Sequence, residues 1–255
     1  MEKVRRTIRW GFGMVLLVSG LSAQAGGRVF AYSYETTVMP VGTWEYEQHI
    51  TWKKDKHGTD SSFDRLDVRH EVEYGVTDRL QLALYADWRY QDGRSVSQDR
   101  ARFRDIALEA IYQLSDPYTD AIGSALYGEV KWGDEVFELE GKILLQKNIG
   151  DWLLVWNGAV AAEWESKDYN EDKGEFAQTA GVAYRLTDRI SIGAEAVHEM
   201  ELENWEHLSD PVVYAGPTLS VFAMGGVITL SPLMQVTDVQ GEAEFQTRLI
   251  VAVDF

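Results

Sequence analysis

Apolar and polar residues alternate with a period of two over most of the chain. In the C-terminal run, Phe245, Thr247, Leu249, Val251, Val253 and Phe255 share one face. Gln246, Arg248, Ala252 and Asp254 share the other, with Ile250 as the one large apolar side chain among them. Trp44, Tyr46, Ile50 and Trp52 oppose Glu45, Glu47, His49, Thr51 and Lys53; Leu66, Val68, Val72 and Tyr74 oppose Arg65, Asp67, Arg69, Glu71 and Glu73. The same alternation runs through Leu80–Tyr90, Ile106–Gln113, Ile122–Trp132, Phe137–Gln146, Trp152–Glu165, Phe176–Tyr184 and Ile190–Ala196. Side chains of a strand point alternately to its two faces, so each segment predicts a strand with one face for an apolar medium and one for water. Leu153 and Val155 break the rule by placing apolar side chains on an otherwise polar face. Pro217 and Pro232 cannot donate to a ladder, which places them at strand ends or bulges.

The connections carry a second pattern. Tyr74-Gly75-Val76-Thr77-Asp78-Arg79-Leu80 recurs as Tyr184-Arg185-Leu186-Thr187-Asp188-Arg189-Ile190, with a weaker copy at Tyr112–Pro117. In each, an aromatic ends one strand and a Thr or Ser with Asp caps the turn backbone. Longer polar stretches, Lys54–Ser62, Gln91–Ala101, Ser166–Glu175 and the acidic Glu199–Pro211, alternate with these turns. Short turns on one side and longer loops on the other, joining about twelve dyadic strands, predict an all-β fold: a transmembrane antiparallel up-and-down β-barrel. A soluble β-sandwich is the competing architecture, but it does not need outward faces so continuously apolar and aromatic.

The N-terminus changes where such a barrel would be placed. Lys3, Arg5, Arg6 and Arg9 precede the apolar run Trp10–Gly20, and Ala23-Gln24-Ala25 supplies a small-x-small cleavage pattern. Residues 1–25 are therefore expected to be a cleaved secretory signal, residues 26–42 a periplasmic lead-in, and residues 43–255 the barrel. Removing residues 1–25 takes away four basic residues and one acidic residue, so the formal charge moves from −17 to −20. That excess argues against nucleic acid as a partner. With no Cys, the chain has neither a lipid attachment site nor disulfides, and a closed barrel supplies stability by pairing every edge. Nine Trp and twelve Tyr suit membrane interfaces. The expected location is the bacterial outer membrane, with its lipid, lipopolysaccharide and barrel-assembly machinery as partners.

Several motifs together resemble a known family. Thr37–Gly42 followed by Trp44-Glu45-Tyr46-Glu47, the Thr-Asp-Arg turns, Lys142-Ile143-Leu144-Leu145-Gln146-Lys147 before Asn148, and Ala215-Gly216-Pro217-Thr218-Leu219-Ser220 are similar to the outer-membrane transporters grouped with the MetA pathway of phenol degradation. The resemblance implies a barrel that passes small molecules, and it brings no catalytic residues. The terminal Phe255 likewise resembles the signal read by the barrel-insertion machinery.

Chemistry is sought on the inward face. The expected lumen-lining residues are Glu45, Glu47, His49, Asp67, Arg69, Glu71, Arg89, Glu109, Glu129, Lys131, Glu138, Glu140, Lys142, Glu163, Glu195, Glu244 and Arg248. Opposite charges on neighbouring strands can pair and fill a narrow barrel, or the acidic surplus can line a path favouring small cationic or neutral solutes. Glu45, Glu47 and His49 at i, i+2 and i+4 offer metal-ligating atoms, but the pattern identifies no ligand on a second strand, so no metal and no cofactor are expected. An outer-membrane lipase would need a Ser beside an outward His, and neither His70 nor His198 has one two residues along the same face. His207, Glu206 and Asp210 form no organised protease pattern. The expectation is a passive channel or transporter rather than an enzyme; the alternatives are a lipid or peptide hydrolase and a non-conducting surface-interaction barrel.

Overall fold

A computed structural model describes residues 28–58, 63–93, 100–223 and 225–255; the expected signal sequence and the middle of the Gln91–Ala101 loop lie outside them. The strands are β1 (Trp44–Lys56), β2 (Phe63–Thr77), β3 (Leu80–Gly93), β4 (Arg100–Ser115), β5 (Gly123–Gly133), β6 (Val136–Ile149), β7 (Trp152–Glu165), β8 (Glu171–Thr187), β9 (Ile190–Glu203), β10 (His207–Leu208), β11 (Val212–Phe222), β12 (Gly226–Gln235) and β13 (Ala243–Asp254). Twelve of them pair antiparallel around a ring, which β1 closes against β13 and β8 against β9. The two-residue β10 folds back on the end of β9. Closure leaves no strand edge, which is the condition for crossing hydrocarbon with strands. Among the described residues no helix is long and apolar enough to cross a membrane.

The outer surface is built for that environment. Pairing register aligns Val72, Leu84, Leu108, Val130 and Leu139 in one row around the wall, all exposed. Aromatic pairs flank this row: Trp44 with Tyr74 and Trp152 with Tyr184 toward the short turns, and Trp52 with Phe245, Trp88 with Phe103 and Phe137 with Trp164 toward the loops. An apolar band between two aromatic girdles is the outer face of a transmembrane barrel. Leu108→Arg is expected to destabilise the barrel in lipid vesicles by ~2–4 kcal/mol in urea unfolding, whereas Leu208→Arg, outside the band, stays within about 0.5 kcal/mol. Equal effects would remove the band from lipid.

The repeated turns are structural equivalents. Thr77 Oγ1 accepts from the Arg79 N–H and Thr187 Oγ1 from the Arg189 N–H, both at 3.2 Å, and each turn follows a register shift in the strand before it. Other segments depart from expectation. The loop expected at Glu199–Pro211 is shorter, because β9 continues to Glu203 and Asn204 and Trp205 turn with positive φ, letting β10 pair back. Pro217 and Pro232 lie within strands rather than at their ends. β11 and β12 pair at Tyr214–Ala215 with Met234–Gln235 and again from Leu219 with Leu230; the unchanged register sets the two prolines opposite each other in the unpaired stretch between. The two missing donors thus fall in one gap, and the hydroxyls of Thr218 and Ser231, 2.7 Å apart, bridge it from the inside.

The largest departure concerns the lead-in. Residues 28–39 do not stay outside the wall but fold back into the lumen, where Phe30, Ala31, Ser33, Thr36 and Met39 are buried.

Candidate channel lumen and its N-terminal plug

An irregular segment inside a barrel has no strand partner, so side chains of the wall must satisfy its backbone. Glu195 on β9 accepts three successive N–H groups, from Ala31 (2.9 Å), Tyr32 (3.0 Å) and Ser33 (2.9 Å), and a fourth bond from Ser231 Oγ (2.6 Å). Asn157 on β7 acts like a neighbouring strand, accepting the Tyr34 N–H at 2.7 Å and donating to the Tyr34 carbonyl at 3.0 Å. Gln146 and Gln81 accept from Thr36 and Met39, while Thr229 and Arg248 donate to the carbonyls of Arg28 and Ala31. Nine backbone groups of seven plug residues are therefore held by the ring from several sides, not by one strand.

The apolar side chains find matching recesses. Phe30 packs with Val155, Ala183 and Leu153; Tyr34 and Val38 pack against Ile111, Tyr127 and Leu144; Ala31 and Tyr32 join Val197, Tyr214, Leu233 and Ile250. Leu153, Val155 and Ile250, which break the dyad in the sequence, are inward residues under the plug. Gly181 makes room for Phe30, since a Cβ there would lie 2.6 Å from the ring, and one at Gly75 would lie 2.1 Å from the Pro40 carbonyl oxygen.

Two cavities remain, one at each end. The loop-end cavity is about 730 Å³ and the short-turn cavity about 700 Å³; Val29, Glu35 and Val38 of the plug line the latter. Twelve carboxylates and nine Lys or Arg line the loop-end cavity, so its formal balance is acidic. The signs lean to opposite walls, with Asp67 and Asp87 among the bases and Lys173 among the acids. Lys53, Arg65, Arg69, Arg89 and Arg248 stand on β13, β1, β2 and β3, whereas Glu138, Glu163, Glu175, Glu199 and Glu201 stand on β6–β9. Pairing is local within each wall: Asp67 bonds Arg65 at 2.7 Å and Arg89 at 2.6 Å, Asp87 bonds Arg69 at 3.1 Å, and Lys131 lies 3.0 Å from Glu138. Lys142 lies 2.8 Å from Glu140.

Of the residues expected to line the lumen, Glu45, Glu47, His49, Glu71, Glu109, Glu129 and Glu195 are buried at mid-barrel and Asp67, Arg69, Arg89, Lys131, Glu138, Glu163 and Arg248 face the loop-end cavity. Glu140 and Lys142 form their ion pair on the same inner face of β6. Glu244 is the exception: it lies at the rim, half exposed, 3.7 Å from His57. Sequence reasoning placed Asn157, Gln146 and Gln81 inward without a role; a run of uncharged amides on a charged inner face was the available signal. His70 shares a 2.6 Å hydrogen bond with the Tyr46 hydroxyl, and His198 packs edge-on to Phe176.

Glu35, beside Arg28 and Glu195, accepts the Val29 N–H at 2.8 Å, and loss of hydration pushes its carboxyl from the ordinary 4.5 up to about 7. A carboxyl raised by folding binds its proton more tightly in the seated plug, so seating is strongest below the ordinary value and weakens as pH rises through about 7. Plug release, followed by thiol labelling of a Cys introduced at Ser33, is expected to increase across that window, and Glu35→Gln to flatten the part of the rise that Glu35 causes.

The profile of a family of unknown function (DUF6662) matches residues 22–249. The chain belongs to that family. No functionally curated protein matches it. Among solved structures, the COG4313 outer membrane channel from Pseudomonas putida F1 is similar with a TM-score of 0.67 at 12% identity, covering 87% of this chain and 98% of that one. The NanC porin has a TM-score of 0.59 at 8% identity, covering 82% and 98%, and the KdgM porin 0.53 at 10%, covering 83% and 98%. At such identities the likeness is one of fold: a closed outer-membrane barrel of the channel and porin type.

Proposed function

We propose that this protein is an outer-membrane channel for small solutes whose conduction is limited by its own N-terminal segment. The observation that carries the reading is the arrangement of two cavities at opposite ends of one closed barrel, a polar one at the loops and a mixed one at the short turns, separated by a plug held by wall side chains rather than by strand pairing. The acidic balance of the loop-end cavity favours cationic or neutral cargo. Its walls, leaning to opposite signs, favour neutral solutes with their own dipole, which can turn to meet both. The signal sequence, insertion through Phe255 and the likeness to transporters of the MetA-pathway type fit this role, and no enzymatic step is assigned. A fully seated plug favours a second reading, a non-conducting barrel that acts at the surface.

Single-channel current of the refolded mature chain in a planar bilayer, under a salt gradient, separates the two. Discrete steps with a cation-selective reversal potential are expected. A folded chain that stays silent with and without its plug would overturn the channel reading.

A further inference from the structure

The ring contains a buried acidic cluster that the plug touches only through Arg28 and the loop-end cavity only through His49. β1 and β2 pair so that Glu47 stands directly opposite Glu71, and Glu45 directly opposite Glu73. Like charges at facing positions repel, and these side chains are buried, where repulsion is least screened. Glu47 Oε2 lies 2.7 Å and Glu71 Oε2 3.6 Å from His49 Nε2. All three ligand atoms fall within 4.8 Å of one another.

We propose that Glu47, His49 and Glu71 bind a divalent first-row transition ion of the zinc class. An ion held at about 2.0–2.2 Å from each ligand separates neighbouring ligand atoms by roughly 3.0–3.6 Å, and the two distances from His49, 2.7 and 3.6 Å, need only small side-chain shifts to meet it. The independent sign of a cation site is Glu71: its side chain is fully buried and neither oxygen accepts a hydrogen bond, nor does Oε1 of Glu47. The nearest fixed cations do not meet this need. Arg69 Nη1 is 4.0 Å from Glu71, and Arg28 Nη1 is 3.5 Å from Glu47 while its Nε and Nη2 are buried without partners. Arg28, Arg69 and Lys142 face Glu45, Glu47, Glu71, Glu73 and Glu109, which leaves a formal surplus of negative charge. One imidazole with two carboxylates suits zinc or a similar transition ion better than calcium or magnesium, which favour oxygen alone. His49 also lines the loop-end cavity, which gives the ion a route in. The Glu45-Glu47-His49 spacing in the sequence lacked a ligand from a second strand; the register supplies Glu71.

The test is titration of the full refolded chain in detergent with Zn²⁺, with excess Ca²⁺ present to fill oxygen-only sites. One ion per chain is expected, with affinity lowered at least about tenfold in His49→Gln and in Glu71→Gln. Absence of binding, or binding unchanged in both folded variants, would overturn the site. X-ray absorption at the zinc edge of the unsubstituted chain decides the matter without variants. A shell of one imidazole plus carboxylate oxygens supports the assignment; a shell of several imidazoles, or of none, refutes it.

Discussion

Deleting residues 28–39 is expected to raise single-channel conductance several-fold while leaving a folded barrel. The strands owe their pairing to one another: every long strand has two antiparallel neighbours, and closure between β1 and β13 does not involve the plug. The plug contributes instead through wall side chains, chiefly Glu195, Asn157, Gln146 and Gln81, which water can serve once it leaves. Removal should join the two end cavities into one path. It also takes out Arg28, the one basic residue of the described plug, and hydrates Glu45, Glu47, Glu71, Glu73 and Glu109. Cation preference should therefore increase together with conductance. Retention of Pro40–Thr43 matters, because the Gly42 N–H bonds the Gly75 carbonyl at 2.8 Å and fixes the entry to β1. If the deletion variant folds and its conductance equals that of the full chain, the plug is not the barrier.

The barrel was legible because its lipid face is written strand by strand with a period of two. Turns such as Thr77–Leu80 and Thr187–Ile190 carry their own side-chain caps, so they too could be read locally. The plug could not. Its bonds join Ala31 to Glu195 and Thr36 to Gln146, positions far apart in the chain, and no local periodicity encodes such contacts. A trace of it existed in the exceptions, since Leu153, Val155 and Ile250 place apolar groups where water was expected, and something apolar had to cover them. Individual inward residues were assignable by parity along each strand, but the leaning of opposite charges to opposite walls of the vestibule depends on ring order, which parity does not give. Glu244 failed because alternation breaks at this end of β13: Ala243 and Phe245 still pair with β1, but Ala243 rather than Glu244 is buried. The two prolines were placed by the rule that each costs a ladder donor; the rule holds, but the ring satisfies it by facing them across a single gap.

Replacing Glu195 is expected to unseat the plug more than any other single change in the wall. Its carboxylate takes the N–H groups of three consecutive residues, and bonds to a charged acceptor contribute ~1.5–3 kcal/mol each. Glu195→Ala also removes the carboxylate from an otherwise apolar recess formed by Val197, Tyr214 and Leu233, where Ser231 is the one hydroxyl bonded to it. Even a net loss of about 4 kcal/mol would multiply the released population by about 10³, at 1.4 kcal/mol for each factor of ten. The chain has no Cys, so a single Ser33→Cys substitution reports on release alone. Ser33 is fully buried and its hydroxyl makes no hydrogen bond, which makes the substitution mild. Its reaction with a water-soluble thiol reagent should accelerate by two to three powers of ten in the Glu195→Ala background, about 10²–10³ if release limits labelling. Glu195→Gln keeps one acceptor oxygen without the charge and should fall between. The heat-induced mobility shift of the barrel should be the same in all three chains. Unchanged labelling in Glu195→Ala would mean that the apolar recesses under Phe30 and Tyr32 hold the segment by themselves, and that the three-bond grip on Glu195 follows seating instead of causing it.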